Sequence, residues 1–451
     1  MTTRRILTCI AALICTGTAF LSCDHKETPV STPTKKDFSN PEIDPNPLVD
    51  YTKWSIHDGK FYLDGKWTFL KVAKPLVNYG TKEGCDQVRE ALDILREKYY
   101  NTIEINCYWH FFDKDGDGII DVSLQPLSDL IDEIYAKGMY PCLGVETYAV
   151  GGGTIPEGFW EKYPDAYAVD SQGLKVKDTE YGFNSKIVSI FHEGYRETVH
   201  RYIRNLVSGL PHEKILYYET TVEPQYMSTI DLCYSESARK EYEKWRQAQG
   251  ITDDSSRMPE SFPMPYSFVN DKTWNRFRAY FLAQWVNEDA EAFRSAAGGN
   301  AIIATDYLDA EERSMRARCG DPEEFLRNLS APDIIQVNWH WNLVEKQANQ
   351  KAYDRVWKIR NETGRDWAVS EHMTFNGQDY AGYQVYELDR VLLNTISCGT
   401  RFGWEFTNTL NNTADPFCCY NDDWSPKEVI GNVDNYWGWW MYRVEKEEAS
   451  H

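Results

Sequence analysis

Two glutamates stand where strand-like runs of this chain come to an end. Glu223 closes the hydrophobic, β-prone stretch ILYYETTVEPQY (residues 215–226), immediately before Pro224, and Glu371 lies within VSEHMTF (residues 369–375). Carboxyl groups in pairs can do acid–base and nucleophilic work on one C–O bond. One protonates the departing oxygen while the other attacks the carbon or activates a water. The plainer alternative for either residue is a solvated glutamate at a strand end.

A second acidic pattern is DKDGDGIID (residues 113–121). Asp113, Asp115 and Asp117 occupy the first, third and fifth positions of a calcium loop, with Gly118 at the turn. Ile119 would offer its carbonyl and Asp121 stands at position nine, whereas position twelve is Leu124 rather than a bidentate glutamate. A structural Ca²⁺ is the cofactor this spacing suggests. The plain alternative is a solvated acidic turn.

The elements that must position these groups alternate short β-rich runs with amphipathic helical stretches, the pattern of parallel βα units. KFYLDGKWTFLKVAK predicts a hairpin around Asp64-Gly65 followed by a first strand. Seven further runs, each with a helix or helix-bearing segment behind it, predict an α/β fold, a (β/α)8 TIM barrel of one domain. A doubly wound open sheet fits less well, since no Gly-rich phosphate loop follows the first strand. In such a barrel the working residues sit at the C-terminal ends of the strands. Strand three ends at Glu146, four at Glu223, five at Asp306, six at Asn338 and His340, seven at Glu371 and eight at Glu405. Trp109 after strand two, Trp339 and Trp341 on strand six and Trp404 on strand eight are the aromatics expected near that face, able to stack against flat apolar surfaces.

The amino terminus is a targeting segment rather than structure. Arg4 and Arg5 precede the apolar run ILTCIAALICTGTAFL, and FLSC then presents Cys23. This resembles a lipoprotein signal of the Bacteroidetes kind, which implies a signal peptide over 1–22 and lipid on Cys23. Residues 23–50 form a Pro-, Ser- and Thr-rich tether, and 51–451 the barrel domain. The protein is expected at the outer membrane, periplasmic or surface-exposed, held through its lipid anchor. A formal charge of −21 argues against nucleic acid as a partner. No C-x-x-C zinc spacing occurs among the cysteines beyond Cys23.

The hairpin YLDGKWTFLK, the Glu-Pro after strand four and VSEHMTF on strand seven resemble the clan A glycoside hydrolases. FHEGYRETVHRYIRNLV leading into ILYYETTVEPQ is most similar to the family 42-type β-galactosidases and related β-mannosidases. The resemblance implies a retaining β-glycosidase acting on oligo- or polysaccharide through a covalent glycosyl-enzyme intermediate. Glu223 would be the acid/base and Glu371 the nucleophile, facing each other about 5–5.5 Å apart across the sugar. It further implies a sugar platform at Trp404; Trp109 at the same face, and Asn338 and His340, which share one face of strand six, are the substrate contacts expected from their places at the strand ends. The chain departs from the family at Val222, where relatives carry an Asn that binds the sugar 2-hydroxyl, and at Glu104, where a basic residue is expected. Those departures support the alternative reading, a catalytically inactive barrel that binds glycans at the cell surface.

Overall fold

The hairpin expected around Asp64-Gly65 is the floor of the molecule. In the computed structural model, strands β1 (Trp54–His57), β2 (Lys60–Leu63) and β3 (Lys66–Trp67) form a small antiparallel sheet. Asp64 and Gly65 both adopt positive φ (49° and 77°), the two-residue geometry whose twist matches its flanking strands. Indole N–H groups of Trp54 and Trp67 donate to the carbonyls of Asn300 and Arg401, fastening the hairpin to the barrel's N-terminal end. The structure describes residues 50–148, 155–178, 185–227, 229–308, 312–339, 346–373, 396, 398–415 and 418–449. Cys23, its leader, most of the tether and His340 lie outside the described residues.

The barrel is closed by eight parallel strands. They are β4 (Leu70–Lys74), β5 (Thr102–Tyr108), β6 (Tyr140–Glu146), β7 (Tyr217–Thr221), β8 (Ile302–Leu308), β9 (Ile334–Trp339), β10 (Ala368–Met373) and β11 (Gly403–Thr407). Buried on both faces, most of them lose the alternation of a half-exposed strand. The outer helices keep it in helical form. In Lys82–Glu97 the buried positions Cys85, Val88, Leu92 and Leu95 recur at three- and four-residue spacing, and the Thr81 side chain caps the start by accepting from the Gly84 N–H. Other helices in the shell include Gln125–Ala136, Glu193–Ser208, Lys272–Ala297 and Lys346–Thr363. The eight described cysteines are all free thiols.

Inside, the barrel is apolar at the bottom and charged above. Phe61 of the hairpin enters from below and meets Val72, Cys142, Tyr217, Ala304 and Phe402 in a sealed cluster. Burying one such phenylalanine is worth about 1.5–3 kcal/mol. The next layer takes one residue from each alternate strand, Glu104, Glu219, Gln336 and Glu405, the stacking expected of this fold. Lys74, at the end of β4, reaches into it and places its Nζ 2.7 Å from Glu104, 3.2 Å from Glu219 and 3.2 Å from Glu405. Gly144 on β6 leaves the space: a Cβ there would lie 2.9 Å from a Glu219 oxygen.

Four ionisable groups buried this close together cannot all carry charge. Burial by itself would lower the Lys74 pKa, but Glu104, Glu219 and Glu405 around it hold the ammonium charged. Burial pushes Glu104 up to about 7 and Glu219 well above the usual carboxylate range, each assisted by a neighbouring glutamate. Protons therefore neutralise part of the cluster, and Lys74 the remainder.

Lys74→Met should destabilise the protein by about 3–5 kcal/mol, the cost of leaving buried carboxylates without their cation; urea unfolding measures it. Glu104 binds its proton more tightly folded than unfolded. Its contribution to stability is therefore full below its ordinary value of 4.5 and is lost as the pH rises through about 7. The melting temperature should fall across that window, and Glu104→Gln should flatten the fall. An equally steep decline in the variant would rule this origin out.

Candidate functional site at the barrel mouth

Strand β7 carries a bulge just before it delivers its glutamate. Glu219 pairs with Gly144 but Thr221 with Val145, so Thr220 is one residue too many for the neighbouring strand. Its hydroxyl turns to Thr305, 2.9 Å away. Such bulges bend the strand and re-aim the side chains beyond them. Two residues past Thr221, Glu223 has φ 51°, in the left-handed region, directly before a proline that favours extended backbone in its predecessor. Strain of this kind costs about 1–3 kcal/mol and persists only where the surroundings impose it.

The surroundings are specific. The Glu223 N–H donates to a carboxylate oxygen of Asp306 on β8, 2.9 Å away. Gln225 donates to the Glu223 carboxylate at 3.3 Å, and its own carbonyl accepts from Arg318 at 2.6 Å. Glu223 is 7% exposed, so its carboxylate is held in place yet not sealed off. A strand ends on Glu-Pro here because bulge, left-handed residue and Asp306 together fix one carboxylate at the C-terminal end of the barrel.

The other predicted residues divide. Glu371 does not share the interior. In register it pairs with Trp404 and Val337, and paired residues of parallel strands point to the same side. Its carboxylate accepts from the hydroxyl of Tyr353, on the outer helix Lys346–Thr363, and that hydroxyl also meets Thr400 at 2.8 Å. The expected pair thus lies on opposite sides of the barrel wall, and sequence alternation alone does not reveal which side a strand presents. Trp404 is likewise no platform. It is fully buried outside the barrel between Phe69, Trp437 and Trp440. Trp109, also fully buried, packs on Phe159, Tyr195 and Tyr202, because wide apolar rings gain most from leaving water. Asn338 does face inward, two residues beyond Gln336 on β9.

In the acidic loop Asp113 is consumed by the chain itself. Its carboxylate accepts from the N–H groups of Gly116, Asp117 and Gly118 and from the Trp109 indole. Asp121 accepts from Lys114 and Asp115. Arg201 and Asn205, on the helix preceding β7, grip the carbonyls of Asp117 and Gly118, so the loop is pinned to that helix. Asp115, the second oxygen of Asp117, whose first accepts from the Ile119 N–H, and the Ile119 carbonyl are what remains for a cation. Among the described residues the one trio of ligand-type side chains gathered within 4.8 Å is Glu104, Glu219 and Glu405, and there the Lys74 ammonium already supplies the positive charge.

Sequence reasoning overlooked Lys74, Asn106 and Gln225, and passed over Glu146 as one strand-end acid among several. Lys74 was legible in principle, as a lysine closing an otherwise apolar strand run, LKVAK. Glu146 ends β6 almost fully buried. One oxygen accepts from the Tyr148 N–H at 3.1 Å and the Thr221 hydroxyl at 3.4 Å. Burial above all, and Glu223 in smaller part, push its pKa well above the usual carboxylate range.

With this geometry in hand, comparison places the chain among known proteins. Residues 85–255 match the family model of the glycoside hydrolase 42 β-galactosidases. No curated protein matches the chain. Among solved structures, the catalytic domain of a β-amylase from Paenibacillus polymyxa aligns with TM-score 0.60 at 12% identity, over 84% of this chain and 98% of that one. The β-galactosidase of the psychrophilic Marinomonas ef1 aligns with TM-score 0.58 at 13% identity, over 81% of this chain. The cold-adapted β-galactosidase of Rahnella sp. R3 aligns with TM-score 0.61 at 11% identity, over 88%. The chain spans 58% of the length of each of those two β-galactosidases. It therefore has the (β/α)8 barrel of these enzymes, and over the stretch that carries Asn106, Glu146 and Glu223 it is similar to the family 42 β-galactosidases.

Proposed function

We propose that the protein is a β-glycosidase that hydrolyses O-glycosidic bonds of oligo- or polysaccharides, with Glu223 as its general acid. The observation that carries this reading is Glu223 itself. It is a carboxylate on strained backbone at the barrel mouth, held by Gln225 and Asp306, within the segment similar to β-galactosidases. Protonating the departing oxygen makes a poor leaving group a good one, and the same residue can afterwards activate the attacking water. A retaining course further requires a nucleophilic carboxylate about 5–5.5 Å away. Glu371 takes that role only if the end of β10 turns it away from Tyr353.

One observation favours the second reading, a barrel that captures glycans without cleaving them: the Tyr353 hydroxyl occupies the Glu371 carboxylate behind the wall. Hydrolysis of aryl β-galactosides, β-glucosides and β-mannosides separates the two. If the chain is a hydrolase, Glu223→Ala should lose about 10²–10⁴-fold on substrates with poor leaving groups and much less on good ones. Equal losses on both would remove Glu223 as the acid. Glu371→Gln, which still accepts from Tyr353, should leave the melting temperature near that of the parent. Activity within about threefold of the parent would discard Glu371 as nucleophile. No turnover by the parent chain, alongside saturable saccharide binding, would establish the capture reading.

Calcium at the acidic loop would be taken by Asp115, Asp117 and the Ile119 carbonyl, tying the loop more firmly to its helix. Chelation should then lower the melting temperature, and an unchanged value would dismiss the ion. The cell-surface setting rests on Cys23: palmitate labelling of the parent but not of Cys23→Ser is the expected result.

A further inference from the structure

Three polar side chains at the mouth are buried with hydrogen-bonding atoms to spare. Among the described residues, Glu146 Oε2, Asn106 Oδ1 and both amide atoms of Asn338 have no hydrogen-bond partner, and each residue is 2% exposed or less. Buried polar atoms are seldom left so, because each costs its lost hydration. All three face the barrel interior. Asn106 pairs with Gly144, whose absent side chain faces Glu104 and Glu219. Glu146 lies two residues beyond Gly144, and Asn338 two beyond Gln336. They stand one step nearer the mouth than the Lys74 layer, on β5, β6 and β9, and so approach the barrel axis from different sides.

We propose that Glu146, Asn106 and Asn338 form the cradle that reads the ring hydroxyls of the bound sugar. This rests on the saccharide reading above but not on turnover. The chemistry suits a polyol. A primary amide offers a donor and an acceptor to hydroxyls, Asn106 offers an acceptor, and Glu146 in its acid form offers an O–H donor. Glu146 is kept in that form by burial, with Glu223 nearby adding to the effect and Lys74 opposing it. Among the described residues, the phenols of Tyr108, on β5, and Tyr195, on the helix Glu193–Ser208, also face it. An apolar replacement should therefore lose the sugar, and at Asn338 should do so without loss of the fold.

The test measures binding of methyl β-galactoside, β-glucoside and β-mannoside to the purified chain by calorimetry, with melting temperatures taken in parallel. Asn338→Leu should weaken the best of these ligands tenfold or more while the unliganded protein melts at the same temperature or higher, since the amide makes no hydrogen bond among the described residues. Glu146→Gln, a neutral group that can still donate and accept, should bind within about threefold of the parent, and Glu146→Leu tenfold or more weaker. In the enzyme these losses should fall on KM more than on kcat. Unchanged affinity in both Asn338→Leu and Glu146→Leu would overturn the cradle while leaving the saccharide reading intact. Absence of binding by the parent to any of the three would overturn the saccharide reading itself.

Discussion

A single ammonium group among three glutamates organises the interior of this barrel. Lys74 is the hub through which strands β4, β5, β7 and β11 are tied by charge as well as by backbone pairing. Opposite charges in a buried, low-dielectric interior attract strongly, but each also loses its hydration, so geometry decides the outcome. Here the geometry is completed by groups from every side. The Tyr217 hydroxyl donates to Glu104, Gln336 donates to Glu405, and Gly144 yields the room its missing side chain would fill. The cluster also sets a boundary. Below it the barrel is an apolar plug closed by Phe61, and above it Asn106, Glu146 and Asn338 face inward.

That boundary reaches the mouth through Asp306. It lies in the electrostatic field of Lys74 and Glu219 and accepts the backbone N–H of Glu223. The residue that steadies a strained glutamate therefore belongs to the same charged interior that holds the barrel together. A site built in this way is preorganised, because the backbone strain is met by the fold rather than by the ligand. The polar atoms of Asn106, Glu146 and Asn338 that lack a partner among the described residues are the complement of that arrangement, and their cost in stability is of the kind that binding sites carry.

Most of the large buried rings serve the shell rather than the mouth. Trp109, Trp404, Trp437 and Trp440 are fully buried between strands and outer helices. A fused ring recovers the most free energy where it is covered on both faces, and the gap between barrel wall and helix layer provides that. The acidic loop obeys the same logic. Asp113 draws three backbone N–H groups and an indole around itself, shaping the turn, and Arg201 and Asn205 fasten it to the helix that leads into β7.

What the sequence by itself determined was local or periodic. The Asp64-Gly65 hairpin, the eightfold alternation of strand and helix, the spacing of the acidic loop and the arrival of Glu223 at a strand end are all written in neighbouring residues, because turn chemistry and amphipathic period act over a few positions. Which side of the wall a residue takes was decided only in three dimensions. Strands buried on both faces show no polar alternation to mark inside from outside, so Glu371 and Trp404 could not be told from inward residues until register and the Tyr353 and Trp437 contacts were seen. The Thr220 bulge, one residue of slip that redirects Glu223, has no signature in the chain. Nor has the meeting of Lys74 with Glu104, Glu219 and Glu405, which are brought together from across the whole chain by the closing of the barrel. Charges so far apart in sequence acquire their energies only when closure removes the water between them.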